Sequence, residues 1–463
     1  MREHRNIVKL ISENCVFRHD DYDPLISQTI ENVHRLNLKS GDRLAILGNN
    51  RSEYLIVLMA LLKIGVIAVP ISPRFPHREI RRLLHIINCE HLYTLPKGRC
   101  KKGALFNDFH TLPIFSKNVD AMKKRESTII FTSGSSGEPK AVLHTLSNHY
   151  FSALGSNVNI QFRHVDRWLL SLPLYHVGGI AILMRALVGG GALVIPDDTV
   201  GLAENIKKFK ITHISLVSTQ LYRLLQNKKA IKSLMRLKVI LIGGSPLSPA
   251  LVKEAIACNM PIYTSYGSTE MCSQITTTGP GDKAPRLFTS GRLLDYRELK
   301  IAADGEILVK GETLFKGYVE RDTTKQSLDS QGWFHTGDLG KLDNDGYLMV
   351  HGRKDTMFIS GGENIHPEEI EKHLCRIDNV LEAVVVPISN DEFGERPVAF
   401  LKTKDGIWIH PDILKKHLEK NLARFKIPDY FFPFPLSIPQ RSIKHNRRYF
   451  QELAHKKINH ISP

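Results

Sequence analysis

The stretch Ile129-Ile-Phe-Thr-Ser-Gly-Ser-Ser-Gly-Glu-Pro-Lys-Ala-Val142 decides how the rest of the chain is organised. Its three leading residues are apolar β-formers, which predict the buried end of a strand. Six residues drawn only from Thr, Ser and Gly follow. Glycine in such a run exposes successive backbone N–H groups, which together can form a concavity that binds an anion. The stretch therefore predicts a loop that cradles a polyphosphate.

Side-chain donors in the same loop support this interpretation. Its hydroxyl groups can donate hydrogen bonds to phosphate oxygens, and a mobile lysine adds positive charge. The candidate phosphate-binding residues are Thr132, Ser133, Gly134, Ser135, Ser136, Gly137 and Lys140. Their spacing does not fit the Walker A pattern. A flexible Ser/Gly surface linker is the alternative, although a linker rarely follows so apolar a strand.

Length and charge limit the classes of protein to consider. A chain of 463 residues is too long for one compact core, so two or more domains are expected. The net charge of +16 fits nucleic acid, an anionic membrane surface, or small polyanions such as nucleotides and coenzyme A. The basic residues are spread along the chain without a long Lys/Arg block or a zinc-finger spacing, which disfavours nucleic acid.

The cysteines and the N-terminus indicate a cytoplasmic protein. Six cysteines without a C-x-x-C pair, in a chain of this size, are typical of reduced and incidental thiols. The N-terminal residues lack the apolar core of a signal peptide. The longest apolar run, Tyr54–Pro70, is interrupted by Lys63 and Gly65, so no membrane span is expected.

Helical and strand patterns alternate in the first part of the chain and predict an α/β fold. A helix is expected over Pro24–Leu36, a strand over Arg43–Leu47 and a helix over Arg51–Ile64. The polar stretch Gly98–Lys124 is interpreted as a connector. From about Arg292 the pattern changes to short strands with frequent turns, which indicates a β-rich subdomain. The last hundred residues have the pattern of a small α+β domain.

Four predicted strands end in turns rich in Gly, Ser and Thr. They are Ile129–Phe131, the strand that begins at Trp168, Val239–Ile242 and the strand that begins at Pro261. Ligands of open α/β sheets bind at the carboxyl ends of the strands. We therefore expect a single crevice lined by all four turns.

Five motifs, in this order along the chain, resemble those of the acyl-adenylate-forming superfamily of acyl-CoA ligases, luciferases and peptide-synthetase adenylation domains. They are Thr132–Lys140, Tyr266–Glu270, Phe334–Asp338, Gly352–Asp355 and Ile359–Asn364. The resemblance is nearly full-length, and five motifs in order are specific where each alone is weak. It implies a large N-terminal domain of parallel and mixed sheets with the β-rich subdomain, residues 1–352. A hinge at 353–356 and a small mobile α+β domain, 357–463, would follow.

The reaction that the resemblance implies has two halves. A substrate carboxylate attacks the α-phosphate of ATP and gives an acyl-adenylate and pyrophosphate. The thiol of coenzyme A then attacks the acyl carbon and expels AMP. Neither half needs an enzyme nucleophile, but both need positioning and charge neutralisation. ATP, magnesium and coenzyme A are therefore the implied cofactor and co-substrates.

The resemblance also gives each motif a role. Glu270 would bind magnesium, which prefers oxygen ligands, Asp338 would accept hydrogen bonds from the ribose, and Arg353 would pair with ribose or phosphate. The alternatives are an exposed loop glutamate, a turn aspartate and a surface salt bridge. The remaining residues implied to contact ATP are Gly243, Gly244, Ser245, Tyr266, Gly267, Ser268 and Thr269.

The small C-terminal domain is implied to swing about Asp355 between the two half-reactions. In one position it would insert a catalytic lysine, and in the other it would line a pantetheine tunnel with Ser360, Gly361, Gly362 and Glu363. The lysine motif departs from the family pattern Pro-Arg-Thr-x-x-Gly-Lys. A gapless reading puts His445 at the lysine position, whereas a shift of one residue gives Lys444, which we favour because an ammonium suits phosphate better than a neutral imidazole. With Thr132, Lys140 and Glu270, Lys444 completes the candidate catalytic set.

One stretch of sequence limits which carboxylic acid can be the substrate. It is Leu172-Pro-Leu-Tyr-His-Val-Gly-Gly179, which contains no aspartate to hold the amine of an amino acid. This stretch and the short N-terminal region look most like the corresponding sequences of the o-succinylbenzoate–CoA ligases of menaquinone biosynthesis. Arg185 lies in an otherwise apolar run, where a buried arginine is costly unless an anion pairs with it, and a dicarboxylate would supply that anion. His176 would lie at the mouth of the acid pocket. Alternatively, Arg185 reaches solvent or a protein carboxylate, and His176 is a core histidine.

Other functions stay open from sequence alone. The acid could be another aryl or fatty acid, and the irregular lysine motif allows a non-catalytic adenylate-binding protein. The expected partners are small molecules, with neither nucleic acid nor a membrane span, and a homodimer is one possible assembly.

Overall fold

The computed structural model describes residues 16–17, 19–95, 105–106, 114–115, 118–133, 139–244, 247, 249–360, 363–390, 393–435 and 447–459. Its helices are α1 (His19–Arg35), α2 (Ser52–Ile64), α3 (His77–Ile86), α4 (Val119–Lys124), α5 (Leu146–Ile160), α6 (Val177–Gly189), α7 (Leu202–Lys208), α8 (Ser218–Leu225), α9 (Lys228–Leu234), α10 (Pro249–Ala257), α11 (Pro367–Leu374), α12 (Pro411–Glu419) and α13 (Arg447–Asn459).

Its strands are β1 (Val16–Phe17), β2 (Arg43–Leu47), β3 (Ile67–Ile71), β4 (His91–Thr94), β5 (Leu105–Phe106), β6 (Glu126–Ser133), β7 (Pro139–Thr145), β8 (Arg167–Leu169), β9 (Ala192–Val194), β10 (His213–Leu216), β11 (Val239–Ile242), β12 (Ile262–Ser268), β13 (Ser273–Thr277), β14 (Arg292–Leu293), β15 (Arg297–Ile301), β16 (Glu306–Gly311), β17 (Gly317–Glu320), β18 (Thr323–Lys325), β19 (Phe334–Leu342), β20 (Leu348–Arg353), β21 (Phe358–Ser360), β22 (Glu363–Ile365), β23 (Val380–Asn390), β24 (Gly394–Thr403) and β25 (Tyr430–Pro433).

The chain divides into two compact units. The first unit comprises Met1–Gly244, Ala255–Leu299 and Val309–His335. The second comprises Ser245–Glu254, Lys300–Leu308 and Thr336–Pro463. The second unit thus combines the C-terminal segment from Thr336 with two shorter, earlier segments, and the boundary between residues 352 and 353 stays a prediction.

A nine-stranded sheet of the first unit has the order β1-β5-β9-β8-β10-β11-β12-β13-β14. Its middle strands, from β9 to β12, are parallel. All residues of β10 and β11 are buried, as expected for parallel strands covered on both faces. The parallel register brings the carboxyl ends of β8, β11 and β12 to one edge of this sheet.

A seven-stranded sheet, of order β18-β17-β7-β6-β3-β2-β4, completes the first unit. Its β2, β3 and β6 are parallel, whereas β6, β7 and β17 are antiparallel neighbours. Apolar side chains such as Ile67, Val69 and Ile129 form its core. The strand predicted over Arg43–Leu47 is confirmed at both ends, and the predicted α/β class is confirmed as well.

The four strands with polar turns come from two sheets, since β6 belongs to the seven-stranded sheet and β8, β11 and β12 belong to the nine-stranded sheet. The single crevice lined by their turns stays a prediction. The stretch Gly98–Lys124 is not only a connector, because it contains β5 and the short helix α4. The β5 strand pairs with β1 and β9, partners that local sequence patterns do not reveal.

The second unit contains a sheet of order β22-β21-β24-β23, with β25 added beside β24. Alternate residues of β23 face opposite sides, so Val385 packs with α11 and α12, whereas Val384 and Val386 pack with α13. Phe450 of α13 is completely buried on that second side. The small α+β pattern predicted from the sequence is therefore confirmed.

Strands β15, β16, β19 and β20 form a further sheet, and the division between the units runs through them. Together with β14, β17 and β18 they confirm the predicted change to short strands after about Arg292. Among the described helices, none combines the length and the apolar character that a membrane span requires. Within the same residues, Cys89, Cys258, Cys272 and Cys375 are free thiols.

His213 is a titratable group in the core of the nine-stranded sheet. It is the first residue of β10, it is 1% exposed, and its ring lies 5.0 Å from the ring of Phe162 and 5.2 Å from that of Trp168. Burial lowers the pKa of His213 to about 4, although Asp166 nearby acts in the opposite direction. The folded state therefore holds this imidazole neutral at pH values where an exposed imidazole is protonated.

We expect His213 to make the free energy of unfolding depend on pH. In the unfolded chain it takes up a proton near pH 6.5, but in the folded chain only near pH 4, so the unfolded state binds more protons in that window. The free energy of unfolding should therefore fall as the pH falls from 6.5 to 4, by up to about 3 kcal/mol from this residue.

Urea denaturation followed by tryptophan fluorescence at several pH values measures this dependence. His213→Phe should reduce the pH slope between 6.5 and 4. The matched control is His164→Gln, because His164 is exposed, and it should retain the wild-type slope. An unchanged slope in His213→Phe would show that the residue does not titrate as inferred.

Candidate active site

The predicted phosphate loop lies between two antiparallel strands. Thr132 is paired with Lys140, and Ser133 with Pro139, so β6 and β7 form a hairpin around it. Ile129 and Ile130 of β6 are at most 1% exposed, which confirms the buried strand. Residues 134–138 lie outside the described residues. The hairpin register nevertheless brings the Thr132 and Lys140 ends of the predicted phosphate loop together.

Lys140 and Glu270 meet through a third side chain. The Lys140 Nζ atom lies 5.0 Å from the centroid of the Tyr318 ring, a distance suited to a cation–π interaction. The hydroxyl of the same tyrosine donates a hydrogen bond of 2.9 Å to Oε1 of Glu270. Lys140 and Glu270, which were predicted from separate motifs, are thus joined by Tyr318, which was not predicted as a site residue.

The role of Tyr318 could not be predicted from the local sequence. It lies in β17, opposite Val142 of β7, and it is 48 residues from Glu270 in sequence. Only the pairing of β7 with β17 places it between the phosphate loop and the carboxylate. A Gly-Tyr pair within the β-rich part of the chain carries no local signal of that pairing.

Backbone hydrogen bonds fix the position of Glu270. It follows β12 and is the second residue of a turn that the N–H of Cys272 closes onto the carbonyl of Thr269 at 3.1 Å. The carbonyl of Glu270 itself accepts a 2.7 Å hydrogen bond from the N–H of Phe315. Both peptide groups that flank the side chain are therefore engaged.

Gly267 is required for the shape of this segment. The β12–β13 register shifts between Tyr266 and Gly267. A Cβ atom on Gly267 would lie 1.7 Å from the carbonyl oxygen of Ser273, closer than any side chain allows. The glycine of the motif therefore has a packing role as well as the role implied by resemblance.

The half-buried Glu270 carboxylate has the chemistry of a magnesium ligand. Tyr318 binds its Oε1 atom, and no described residue donates a hydrogen bond to its Oε2 atom. Magnesium prefers carboxylate oxygens and commonly takes one or two of them together with phosphate oxygens. The residues present therefore fit that ion.

Gly243 and Gly244 follow β11, the strand beside β12 in the same sheet. The side chain of Ser265 in β12 donates a 3.0 Å hydrogen bond to the carbonyl of Ile242, which ties the two strand ends together. The predicted adenine-binding glycines and the Tyr266–Glu270 segment therefore leave the sheet side by side. Ser245 lies outside the described residues.

In the second unit, Asp338, Arg353 and Asp355 lie together. Asp338 and Arg353 are paired across β19 and β20, and Nη1 of Arg353 lies 3.1 Å from Oδ1 of Asp338. The same guanidinium holds both oxygens of Asp355, each at 2.9 Å. Asp355, together with Asp338, raises the pKa of Arg353 further above its ordinary value, so this arginine is permanently charged.

The turn before Asp338 is built for that position. Gly337 has a φ of +70°, in the left-handed region that favours glycine. Its N–H donates to Oε1 of Glu306 at 3.0 Å, and the hydroxyl of Thr336 donates to the carbonyl of Ile307 at 2.7 Å. The Thr-Gly-Asp segment is therefore anchored on β16.

Arg447 ties α13 to α11 within the second unit. It contacts both carboxylate oxygens of Glu371, at 2.6 and 3.0 Å, and Oε1 of Glu368 at 2.8 Å. The same Glu368 oxygen accepts a 2.9 Å hydrogen bond from the hydroxyl of Thr356, next to the predicted hinge residue Asp355. Lys444 and His445 lie outside the described residues.

The predicted tunnel residues are only partly described. Ser360 and Glu363 are paired across β21 and β22, which form a hairpin. Ser360 is 1% exposed and accepts a long 3.4 Å hydrogen bond from Arg396, whereas Glu363 is exposed. Gly361 and Gly362 lie outside the described residues.

Arg185 is buried on α6 and is 2% exposed. Its Nε atom donates to the hydroxyl of Ser156 at 2.8 Å, and Nη2 donates to Oε1 of Gln274 at 2.6 Å. Its guanidinium lies 5.0 Å from the ring centroid of Trp168. Among the described residues, no carboxylate lies within ion-pair distance of Arg185, and the side chain does not reach solvent, so neither alternative proposed for it is observed.

The electrostatics around Arg185 favour an anion. Burial lowers the pKa of Arg185 to about 9, and the positive charge of Arg297 adds to this effect. Arg297 is also buried, but it bonds backbone carbonyls of Gln274, Asp295 and Ser152. A negative charge beside Arg185 would offset the cost of burying its charge.

His176 precedes α6 as its N-terminal flanking residue. Its ring packs at 4.8 Å against that of Tyr175. Burial lowers the pKa of His176 to about 4, and the nearby Arg74 acts in the same direction, so the ring is neutral at neutral pH. It is only partly buried, and the structure thus leaves it able to contact a ligand.

Comparisons with known proteins agree with the fold described above. Residues 32–319 match the family model of AMP-binding enzymes, and residues 369–440 match the model of the AMP-binding enzyme C-terminal domain. A 2–succinylbenzoate–CoA ligase from Bacillus pumilus is 34% identical over 446 residues, which cover 92% of this chain and 90% of that protein.

Solved structures agree with the sequence comparisons. The o-succinylbenzoate CoA synthetase from Bacillus subtilis in complex with its acyl-adenylate intermediate is 30% identical and covers 97% of this chain and 96% of its own, with a TM-score of 0.81. The Bacillus subtilis enzyme in complex with ATP and magnesium ion is 28% identical and covers 96% of this chain and 97% of its own, with a TM-score of 0.79.

Proposed function

The chain belongs to the AMP-binding enzyme family, and we propose that it activates 2-succinylbenzoate with ATP and transfers the acyl group to coenzyme A. The products are 2-succinylbenzoyl-CoA, AMP and pyrophosphate, and the reaction is a step of menaquinone biosynthesis. The enzyme is an AMP-forming acid–thiol ligase. The observation that carries the choice of acid is the buried Arg185, whose charge has no carboxylate partner among the described residues.

In the first half-reaction, a carboxylate oxygen of the acid attacks the α-phosphorus and pyrophosphate leaves. The phosphate loop with Thr132 and Lys140 would hold the β- and γ-phosphates, the part of ATP that departs. Magnesium, held by Glu270, neutralises phosphate charge when bound. Tyr318 would orient the Glu270 carboxylate through its hydrogen bond of 2.9 Å.

The nucleoside part of ATP would be bound by residues from several elements. Gly243, Gly244 and the Tyr266–Glu270 segment would flank the adenine. Asp338 would accept hydrogen bonds from the ribose hydroxyls, and Arg353 beside it would supply positive charge. The ion pair between Arg353 and Asp338 supports this role, because it orients the aspartate as an acceptor.

In the second half-reaction, the thiol sulfur of coenzyme A attacks the acyl carbon, AMP leaves and the thiol proton is released. We assign the change between halves to rotation about Asp355, which replaces Lys444 at the site by the segment from Ser360 to Glu363. The position of Arg447 supports Lys444 over His445, because two residues separate Lys444 from this anchored arginine, as in the family's Lys-x-x-Arg spacing. A cytoplasmic location and a homodimer stay predictions.

The acid would bind between His176 and Arg185, with the succinyl carboxylate at the α-phosphate and the aromatic carboxylate paired with Arg185. Ser156 and Gln274, which already bond the guanidinium, would orient it. A fatty acid or a monocarboxylic aryl acid would leave the buried charge uncompensated. A non-catalytic adenylate-binding protein would have no need for such a group.

Pyrophosphate release tests the proposed reaction. The enzyme with ATP, magnesium and 2-succinylbenzoate should release pyrophosphate, and addition of coenzyme A should yield the thioester, measured by chromatography. Benzoate and medium-chain fatty acids are the competing substrates. Faster release with either of them would overturn the proposed acid, and no release with any acid would favour an adenylate-binding protein.

Replacing Arg185 by an apolar residue of similar length should remove the preference for a dicarboxylate. Arg185→Met should lower kcat/KM for 2-succinylbenzoate by about 30-fold, since a charge-assisted hydrogen bond contributes about 2 kcal/mol. The affinity for ATP should stay within about twofold, since charge loss at the acid pocket leaves the phosphate loop intact.

The analogue 3-benzoylpropionate, which lacks the aromatic carboxylate, completes this test. Wild type should prefer 2-succinylbenzoate over the analogue, and Arg185→Met should treat the two alike. Arg297→Lys is the matched control, because Arg297 is the other buried arginine here but bonds backbone carbonyls, and it should keep the wild-type preference. An undiminished preference in Arg185→Met would show that Arg185 does not bind the carboxylate.

The two half-reactions distinguish Lys444 from His445. Lys444→Ala should slow pyrophosphate release by about 10²-fold or more, because it removes a charge that stabilises the transition state. Thioester formation from supplied acyl-adenylate and coenzyme A should be retained. His445→Ala should change neither half, and the reverse result would assign the role to His445.

A further inference from the structure

Three polar side chains are buried together behind the turn that carries Glu270. They are Thr128 of β6, His144 of β7 and His149 of α5, and each is at most 2% exposed. The hydroxyl of Thr128 lies 2.8 Å from Nε2 of His149 and 3.3 Å from Nδ1 of His144. Nε2 of His144 lies 2.7 Å from the carbonyl oxygen of Thr269.

Only one arrangement of hydrogens satisfies these contacts. A carbonyl oxygen can only accept, so Nε2 of His144 carries the proton, and Nδ1 of its neutral ring is an acceptor. The hydroxyl of Thr128 donates to that Nδ1 atom and accepts from Nε2–H of His149. Burial keeps both rings neutral: it lowers the pKa of His144 to about 4 and that of His149 well below its ordinary value.

The chain of donors ends on the backbone of the magnesium-binding segment. The carbonyl of Thr269 accepts from His144 and also from the N–H of Cys272, which closes the turn around Glu270. On the other side, the N–H of Phe315 holds the carbonyl of Glu270 at 2.7 Å, and Tyr318 holds its carboxylate. The His144 contact is thus a second constraint, beside the N–H of Cys272, on the peptide that precedes Glu270.

We propose that His144 is a positioning residue for Glu270, and that Thr128 and His149 hold it in the required tautomer. The inference rests on the proposed function, in which Glu270 binds magnesium with ATP. It assigns a purpose to three buried polar groups that the five sequence motifs do not include. The resulting site would select the magnesium complex of ATP over the free nucleotide.

A metal bound by the cluster itself is the competing interpretation. Cys272 lies beside the two histidines, and their candidate ligand atoms are all within 4.8 Å of one another. The nitrogens that face the cluster already have hydrogen-bond partners, however. Burial also raises the pKa of the Cys272 thiol well above its ordinary value, which disfavours the thiolate that a metal needs.

The test compares ATP binding with and without magnesium, measured by isothermal titration calorimetry on the full chain. Magnesium should strengthen ATP binding by the wild type. Thr128→Val and His144→Leu should reduce this magnesium-dependent gain by about 5- to 10-fold, while binding of ATP in EDTA stays within about twofold. The conservative variants Thr128→Ser and His144→Gln, which keep the donors, should restore most of the gain.

Ile129→Val is the matched control, since Ile129 is the neighbouring residue of β6 but packs in the apolar core on the other face. It should lower stability without changing the magnesium dependence. Equal magnesium dependence in wild type, Thr128→Val and His144→Leu would overturn the proposal. One equivalent of tightly bound zinc that is lost in His144→Leu would overturn it in favour of a metal site.

The outcome separates this inference from the proposed reaction. Magnesium-dependent ATP binding without pyrophosphate release from any acid would overturn the reaction, while the variants would still decide the role of His144. If magnesium gives the wild type no gain in ATP binding, the role of Glu270 and the role of His144 are overturned together.

Discussion

Strand β7 pairs with β6 on one side and with β17 on the other. The register of these two pairs of strands determines where the candidate phosphate-binding and magnesium-binding residues lie. One ladder places Lys140 opposite Thr132. The other places Tyr318 opposite Val142, from where its ring meets Lys140 and its hydroxyl meets Glu270. A slip of one residue in either ladder would turn these side chains to the opposite face of the sheet.

Much of this arrangement could be predicted from sequence, because the predicted residues lie in short motifs whose chemistry is local. The Thr132–Lys140 loop stands out by residue type, and the roles expected of Glu270 and Asp338 follow from the resemblance of their motifs to those of the family. The α/β class and the strand Arg43–Leu47 follow from periodicity. What the sequence could not supply is pairing between distant strands, which determines the sheet of β6, the position of Tyr318 and the contact of His144 with a residue 125 positions away.

Arg185 and Arg297 show what the sequence around an arginine can predict about its burial and its partners. The sequence around Arg185 predicted an arginine in an apolar run that would need an anion, and in the structure this side chain is buried without a carboxylate partner among the described residues. Arg297, buried to a similar degree, gave no such signal because it begins a strand of mixed composition. The difference lies in their partners. Arg297 donates hydrogen bonds to backbone carbonyls. Arg185 donates to two neutral side chains, which leave its charge uncompensated. Geometry, rather than burial, therefore separates a structural arginine from a candidate recognition group.

The shared oxygen of Glu368 limits where the chain can twist. Thr356 donates to it from the end of the predicted hinge, and Arg447 binds it from the start of α13. Thr356 and Arg447 are thus both held to α11 through the same carboxylate oxygen. The proposed rotation about Asp355 would then have to break the ion pair between Asp355 and the guanidinium of Arg353. That ion pair would therefore oppose the movement and favour the orientation in which it forms.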